Sequence, residues 1–482
     1  MPLRIYNSLT KRKEEFKPIE DGHARIYNCG PTVYDYFHIG NARNFITAEI
    51  VCRYLEHKGY KVTFVQNVTD VEDKIINKAN ELGVKPSDVA EEFTKAYFED
   101  LAELRTRTPD ISPKATEHIS DIIQFVHELV EKGIAYEIDG DIYFEVAKFK
   151  DYGKLSGQRV EDTIAGSRVE ADKRKRHPAD FNLWKKSKPG ESSWDSPWGL
   201  GRPGWHIECS VMSAKYLGET FDIHIGGNDL IFPHHENEIA QSEARTGKPP
   251  ANYWIHNGML STSGDKMSKS LGNIRTVREL LKDYDPDVIR FYLLSAHYRG
   301  PLELKGDSLD EARNALQRIW NCVDLMGRLG TTELEVDRDQ LSNDEKELSD
   351  AVDAAFQKFE ESMDDDFNTS GAMAAIFELI ASANKFAAEH QELSDQGKAV
   401  LGHVLSALVD LCQILNLQAV REAGIGEDES LANDLIELLV AVRRNSRERK
   451  EWATADKIRD GLADLGIKLE DTREGAIWKI ER

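Results

Sequence analysis

The chain has 482 residues, with 62 Lys and Arg against 85 Asp and Glu, and a formal net charge of -23. At roughly 100 to 200 residues per domain this makes three to four folding units; 40% hydrophobic and 9% aromatic residues give them cores, which excludes global disorder. The acidic balance excludes a surface that grips nucleic acid everywhere, and with neither a run of ~20 apolar residues nor a signal-peptide core in MPLRIYNSLTKRKEEF, a soluble cytoplasmic protein is expected.

Ala24 to Asn28 alternates as a short strand. A Gly/Pro loop, CGPTVYDYFHIG, then leads into NARNFITAEIVCRYLEHKG, whose apolar residues recur at helical spacing up to Gly59. KVTFVQNVTD reads as a second strand, and a strand–helix–strand unit of this length implies parallel pairing with a right-handed crossover. Residues 116–203 differ: a helix-like stretch, the hairpin-like IAYEIDGDIYFEV, then a basic segment rich in Pro and Trp. This reads as an insertion. FDIHIGGNDLIFPHHENEIAQSEARTGK followed by YWIHNGML restores strand, glycine turn, helix and strand. Residues 1–115 and 204–305 are therefore expected to be two halves of one Rossmann-type α/β domain split by a connective insertion. Long helical patterns over 306–423 predict a helical bundle, and after a Gly/acidic linker residues 424–482 predict two helices and a hairpin, a small α+β domain.

Five cysteines in a chain of this size do not form a disulfide framework. Cys52, Cys322 and Cys412 fall on apolar helix faces as core residues, whereas Cys29 and Cys209 could supply thiolates to a metal. His234 and Glu238 are four apart at a helix start, which puts an imidazole and a carboxylate on one face. Spacing alone leaves open a blander reading, two small buried hydrophobes and a surface pair. His206, His224, His235 and His256 crowd the same region, more than core packing requires. The apparent dinucleotide pattern at Gly199 to Gly204 fails on context, because SSWDSPW precedes it in place of a strand and Pro203 and Trp205 occupy the helix start.

Two further segments suit phosphate. His38-Ile-Gly-Asn41 lies where the first strand feeds a helix N-terminus, with Gly40 allowing close approach of a nucleotide base, and Lys266 and Lys269 alternate with serines in the glycine-bounded GDKMSKSLGN. One segment from each half of a parallel sheet converges on one crevice.

Together Cys29-Gly-Pro-Thr-Val-Tyr-Asp-Tyr-Phe-His-Ile-Gly-Asn-Ala-Arg43 and Lys266-Met-Ser-Lys-Ser270 resemble the two signature motifs of class I aminoacyl-tRNA synthetases, within them the cysteinyl-tRNA synthetases. Gly204 to Met212, Gly226 to Glu238, Met363-Asp-Asp-Asp-Phe-Asn368 and the C-terminal WATADKIRDGLADLGIKLEDTREGAIW are similar to that family too, so the resemblance spans nearly the whole chain. Asn41 departs from the class pattern, which has a second histidine there. The resemblance implies activation of L-cysteine by ATP, carried with Mg²⁺, to cysteinyl-adenylate and transfer to tRNA(Cys) by a monomer. It implies His38, Gly40, Asn41, Lys266 and Lys269 on ATP, with His38, Asn41 and both lysines as the catalytic set. One Zn²⁺ per chain would sit on Cys29, Cys209, His234 and Glu238 and select the substrate thiol; four protein ligands would then require an added ligand or a loosened Glu238 when cysteine binds. Thr69, Trp205 and Asp229 would surround the substrate, Trp205 having an ordinary core aromatic as its alternative. A solvated face is the default for the basic helices near the C-terminus, but the resemblance assigns them, with Arg443, Arg444, Arg447 and Lys450, to the anticodon side of the tRNA; the basic runs Lys173 to Arg176 and Lys185 to Lys188 in the insertion are candidate acceptor-arm contacts. A ligase joining cysteine to a small amine and a non-catalytic tRNA-binding relative are the competing readings; the helical tail argues against the first, the intact motifs against the second.

Overall fold

The computed structural model describes residues 2–158, 174–262, 265–266, 275–390, 392–420, 427–449, 451–464, 467–472 and 475–480. These fall into two compact units, 1–419 and 420–482.

The larger unit opens with an antiparallel hairpin of β1 (Arg4–Asn7) and β2 (Arg12–Glu15). β3 (His23–Asn28) then runs into α1 (Ile39–His57), a helix started by a capping box at His38 and buried on most of its circumference. After β4 (Lys61–Gln66) come α2 (Asp73–Leu82) and α3 (Pro86–Glu103), two helices the sequence reading passes over. α4 (Ile119–Glu131) precedes β5 (Ala135–Ile138), β6 (Asp141–Phe144), β7 (Phe181–Lys186) and β8 (Gly201–Pro203), which form a separate antiparallel sheet with its own apolar core. The second half of the parallel sheet follows: α5 (Ile207–Leu217), β9 (Phe221–Gly227), α6 (Glu236–Thr246) and β10 (Ala251–Asn257).

The parallel sheet has the order β10-β9-β3-β4. The two sequence halves meet in its middle, where Ile26, Tyr27 and Asn28 of β3 face Ile223, His224 and Ile225 of β9. Their carboxyl ends lie side by side where the strand order reverses, the place where open α/β sheets bind ligands. Strands buried on both faces need no alternation, and β9 is buried from Phe221 to Gly226 even though it carries Asp222 and His224. Asp222 is satisfied by the backbone N–H groups of Ile19 at 2.7 Å and Arg25 at 2.8 Å.

Beyond the sheet, β11 (Leu260–Thr262) pairs with β12 (Asp265–Lys266) and, in parallel, with β13 (Leu302–Leu304), with α7 (Val277–Leu280) and α8 (Pro286–Leu294) between the last two. The bundle consists of α9 (Ser308–Leu329), α10 (Asn343–Asp364), α11 (Thr369–Glu389) and α12 (Asp395–Ile414), its core continuous with that of α1 and α8. Cys52, Cys322 and Cys412 are buried there as expected. α12 is long and apolar enough to cross a membrane, but its apolar residues pack into the bundle. The smaller unit contains α13 (Glu427–Glu448), α14 (Trp452–Asp464) and the antiparallel hairpin β14 (Ile467–Thr472) and β15 (Gly475–Ile480).

Candidate active site

A cavity of about 310 Å³ opens at the junction of β3 and β9, lined by Cys29 to Thr32, Tyr34 to His38, Gly40, Asn41, Asn44, Phe45, Lys74, Trp205, Gly227, Asp229, Leu230 and Asn257 to Leu260. At one end is the first turn of α1. His38 Nδ1 accepts from the Asn41 backbone N–H at 3.3 Å, and Asn41 Oδ1 accepts from the His38 N–H at 3.2 Å. Because Nδ1 is an acceptor, the neutral ring carries its proton on Nε2. The departure from the class pattern at Asn41 thus has a local role: its side-chain oxygen completes the cap, while the backbone N–H of residue 41 fixes the tautomer of His38. The segment is tied to the far side of the GDKMSKSLGN motif, as Ile39 N–H donates to Arg275 O at 3.1 Å and Val277 N–H to Phe37 O at 3.1 Å. Lys266 belongs to β12 by its backbone; residues 267–274, with Lys269, lie outside the described residues.

The other end is a buried cluster. Cys29 leaves the end of β3, Cys209 comes from the first turn of α5, and Glu238 from the first turn of α6, with His234 in the wide turn just before it. Cys29 Sγ lies 3.9 Å from Cys209 Sγ and 3.7 Å from Glu238 Oε1, and His234 Nε2 is 3.1 Å from the same carboxylate oxygen. One donor atom from each of these four falls within 4.8 Å of all the others, and no residue of the four exceeds 5% exposure. The surface-pair alternative for His234 and Glu238 is therefore wrong. Cys29 and Glu238 also belong to a second such foursome with His224 and His235, whose possible ligation the sequence reading did not separate from mere crowding. His224 Nε2 sits 2.9 Å from Glu238 Oε2 under the stacked ring of Trp254, while His235 Nδ1 lies 2.8 Å from His256 Nε2, which is in turn fixed by Ser8 at 2.8 Å. The glycine at 226 is required here, since a Cβ would meet His235 Cε1 at 2.4 Å.

Electrostatics separates the members of the cluster. Hydrogen bonding from Cys29 pulls the Cys209 thiol down against the effect of burial, while burial and the Cys209 charge push Cys29 up, so the first thiolate forms on Cys209. Burial pushes Glu238 up, but His224 and His234 outweigh it and hold the carboxyl at about 2; burial pulls His234 down, but Glu238 and Cys209 outweigh it and lift the ring to about 10. These directions favour an anionic Cys209 and Glu238 beside a protonated His234, which leaves a net negative charge in a desolvated site. Two sulfurs, an imidazole and a carboxylate within one ion's reach are a zinc donor set, and a dication would displace the His234 proton and compensate that charge.

Between the two ends the substrate candidates divide. Trp205 is half-buried and lines the cavity, its ring 4.6 Å from that of His234 and 5.8 Å below the Lys74 ammonium, so it is not an ordinary core aromatic. Asp229 also lines the cavity and is exposed. Thr69 is 3% exposed and does not line the cavity itself; its hydroxyl donates to Glu208 at 2.8 Å and accepts from Asn67 at 3.3 Å, and its backbone pairs with Thr32, which does line it. Sequence reasoning missed Glu208, a carboxylate raised by burial on an otherwise apolar helix face, and Lys74, which lies over Tyr34 and Trp205. In the smaller unit Arg444 and Arg447 are exposed, but Arg443 is only 7% exposed, which removes it from the solvent-facing set; Lys450 lies outside the described residues. In the insertion Arg174 pairs with Asp141 at 2.9 Å, Arg176 with Glu145 at 2.8 Å and Lys185 with Asp73 at 2.6 Å, whereas Lys173 is outside the described residues.

Comparison with known proteins decides the family. The class I tRNA synthetase (C) catalytic domain matches residues 15–314 and the DALR domain matches residues 358–420. The chain is 50% identical over 481 residues to the cysteine–tRNA ligase of Thermococcus onnurineus, covering 99% of each, and 49% identical over 480 residues to that of Heliobacterium modesticaldum, covering 99% of this chain and all of the relative. The chain belongs to the cysteinyl-tRNA synthetase family. Membership over the full length, bundle included, removes the small-amine ligase and the non-catalytic scaffold as readings. The fold is shared more widely. The methionyl-tRNA synthetase of Mycobacterium tuberculosis in complex with methionyl-adenylate superposes with a TM-score of 0.61 at 14% identity, over 81% of this chain and 90% of that one. The Agrobacterium radiobacter LeuRS in its ternary complex with tRNA and LeuAMS gives 0.60 at 13% identity, over 83% and 84%.

Proposed function

We propose that this class I cysteine–tRNA ligase selects its amino acid at the buried Cys29, Cys209, His234 and Glu238 cluster and activates it toward the first turn of α1, the cavity between them holding both substrates. The observation that carries this is the meeting of the four donor atoms at one end of the cavity that His38 and Asn41 line at the other. Cys29, Cys209, His234 and Glu238 would hold a single zinc ion, which would supply a Lewis acid that favours a thiolate over a hydroxyl. The protein's own groups do the rest. Trp205 closes the cavity over the substrate's side chain, and Asp229, exposed and anionic, faces the α-ammonium.

In activation the cysteine carboxylate attacks the α-phosphate of Mg²⁺-bound ATP. The α–β bond breaks, and cysteinyl-adenylate and pyrophosphate form. No protein nucleophile is needed, so catalysis is positioning plus stabilisation of charge. His38, through Nε2–H, and the N-terminus of α1 with Gly40 and Asn41 receive the phosphate oxygens, and Lys266 and Lys269 neutralise the departing pyrophosphate. In transfer a hydroxyl of the terminal adenosine of tRNA(Cys) attacks the acyl carbon and AMP leaves. Arg444, Arg447 and Lys450 contribute to the anticodon side of that tRNA. The protein acts as a cytoplasmic monomer. Cysteine-dependent ATP–pyrophosphate exchange, run with a serine control and zinc quantification, tests the reading: exchange with cysteine alone, in proportion to bound zinc, is expected, and equal exchange with serine would overturn it.

A further inference from the structure

The segment Met363-Asp-Asp-Asp-Phe-Asn368, between α10 and α11, takes no part in the site described above, yet its three aspartates hold three different elements. Asp364 accepts from Tyr54 OH at 2.8 Å and pairs with Lys58 at 3.4 Å, both on or next to the end of α1. Asp365 pairs with Lys13 of the N-terminal hairpin at 2.7 Å. Asp366, wholly buried, accepts from the Tyr6 N–H at 2.8 Å and Tyr298 OH at 2.7 Å through Oδ1, and from Arg299 Nε at 2.7 Å through Oδ2. The Arg299 guanidinium is also packed on the Tyr6 ring at 4.3 Å. Asp366 and Phe367 have φ of +70° and +52°, a left-handed conformation that non-glycine residues hold only when surrounding contacts impose it.

The turn that Asp366 grips is joined to the cavity wall. Gly258 N–H donates to Tyr298 O at 2.7 Å and Leu302 N–H to Met259 O at 3.0 Å. Arg43, on α1 five residues after His38, donates to the carbonyl oxygens of Gly258 at 2.8 Å, Met259 at 3.1 Å, His297 at 3.3 Å and Gly300 at 2.6 Å. The two strands approach so closely that a Cβ at Gly258 would lie 2.2 Å from Gly300 O. Asn257 to Leu260 lines the cavity and continues into β11, which pairs with β12.

We propose that Asp366 is a positioning residue for the activation step: through Tyr298 and Arg299 it fixes the 297–300 turn, and through that turn it fixes the cavity wall Asn257–Leu260 against the α1 N-terminus. The inference rests on the reading that the nucleotide lies between that wall and His38. It assigns to the aspartate turn of the bundle a control over ATP that is separate from control over cysteine.

The test is steady-state ATP–pyrophosphate exchange on the full-length, zinc-loaded enzyme and its Asp366→Asn and Arg299→Gln variants, with thermal melting and zinc content measured on each. Asn keeps the side-chain shape and tolerates the left-handed backbone, so the first variant removes the charge and not the turn. Each variant is expected to lower kcat/KM for ATP by about 10- to 100-fold, the cost of a small misplacement in a positioned site, with the cysteine KM and zinc content unmoved. The double variant is expected to be no worse than the worse single, because both act through one contact, and Asp365→Asn, which loses only the partly exposed Lys13 pair, to match the parent. Folded, zinc-loaded Asp366→Asn and Arg299→Gln with ATP parameters within about twofold of the parent would overturn the proposal, as would ATP and cysteine parameters that fall together with the folded fraction. His38→Ala in the same series separates the two levels: impaired exchange there with intact Asp366→Asn refutes this inference alone, whereas intact exchange in His38→Ala refutes the underlying nucleotide reading along with it.

Discussion

The two ends of the cavity are built on opposite principles. At the cluster end, charged and titratable side chains are stripped of water and packed against one another: Cys209 and Glu238 against His234, with His224 held on the second carboxylate oxygen. At the α1 end the groups that line the cavity are a helix N-terminus, a glycine and a half-buried histidine, tied by hydrogen bonds to the backbone. Discrimination between a thiol and a hydroxyl of the same shape requires the first kind of site, because an apolar pocket separates such isosteres by only about 10²-fold. Recognition of a phosphate that enters and leaves hydrated requires only the second. A site of paired buried charges fails abruptly when one member is removed, since its partner is left uncompensated. A site of dipoles and backbone hydrogen bonds fails by degrees.

Cys209→Ser is therefore expected to have the largest effect. Loss of the lower-pKa thiol should reduce cysteine-dependent exchange by about 10³-fold or more, beyond the cost of one preorganised contact, with bound zinc falling in parallel. A Cys209→Ser protein that lacks zinc yet still prefers cysteine to serine would break the contrast between the two ends. Lys269→Ala comes next: kcat should drop roughly 10²- to 10³-fold while cysteine KM and zinc content stay at parental values, as expected of a group that meets charge developing on the phosphates. Trp205→Leu tests the boundary between the ends. Its ring packs on His234 on the cavity side, so the cysteine KM should rise about tenfold and the ATP KM should not move. A rise in both would mean that one continuous subsite, not two, lies between the ends.

The same contrast governs what could be read from sequence. Cys29, Cys209, His234 and Glu238 were legible because few residue types can do their work and because an i, i+4 pair fixes a face; the structure adds that they are buried and mutually in reach. The split sheet was legible because strand, glycine turn and helix recur, and β3 and β9 do meet. What stayed hidden depends on pairings between distant residues. The hydroxyl of Thr69 bonds Glu208, 139 residues away, and Arg443 is buried, neither of which the local sequence shows. The link from Tyr6 to Asp366 spans 360 residues, and no periodicity announces it. α2 and α3 were passed over although α2 is strongly amphipathic and ends at a left-handed Gly83.

The smallest expected effect tests the softer end most closely. Asn41 spends its side-chain carbonyl oxygen on the His38 N–H and its backbone N–H on His38 Nδ1, so the side chain caps α1 and the backbone leaves the His38 proton on Nε2, the donor proposed for the phosphate. Its amide donor carries no titration. Replacement by histidine, the residue usual in the class, substitutes a group with a pKa near about 6.5, which becomes a charged donor as the pH falls through that value. Asn41→His should therefore keep a peak rate within a few-fold of the parent but gain an inflection near pH ~6.5, its rate relative to the parent rising on the acid side and levelling above neutrality. Exchange assayed from about pH 5.5 to 8.5 decides the matter. Parallel profiles would mean that position 41 touches no phosphate and serves the helix cap alone; in that case Asn41→Ala, which loses the side-chain cap at a cost of about 1 kcal/mol of stability, would run at the full rate. An Asn41→Ala enzyme slowed about tenfold at every pH, with its fold intact, would instead place a neutral, pH-indifferent hydrogen bond on the α-phosphate, and the phosphate end would then owe its tolerance of pH to this one departure from the class pattern.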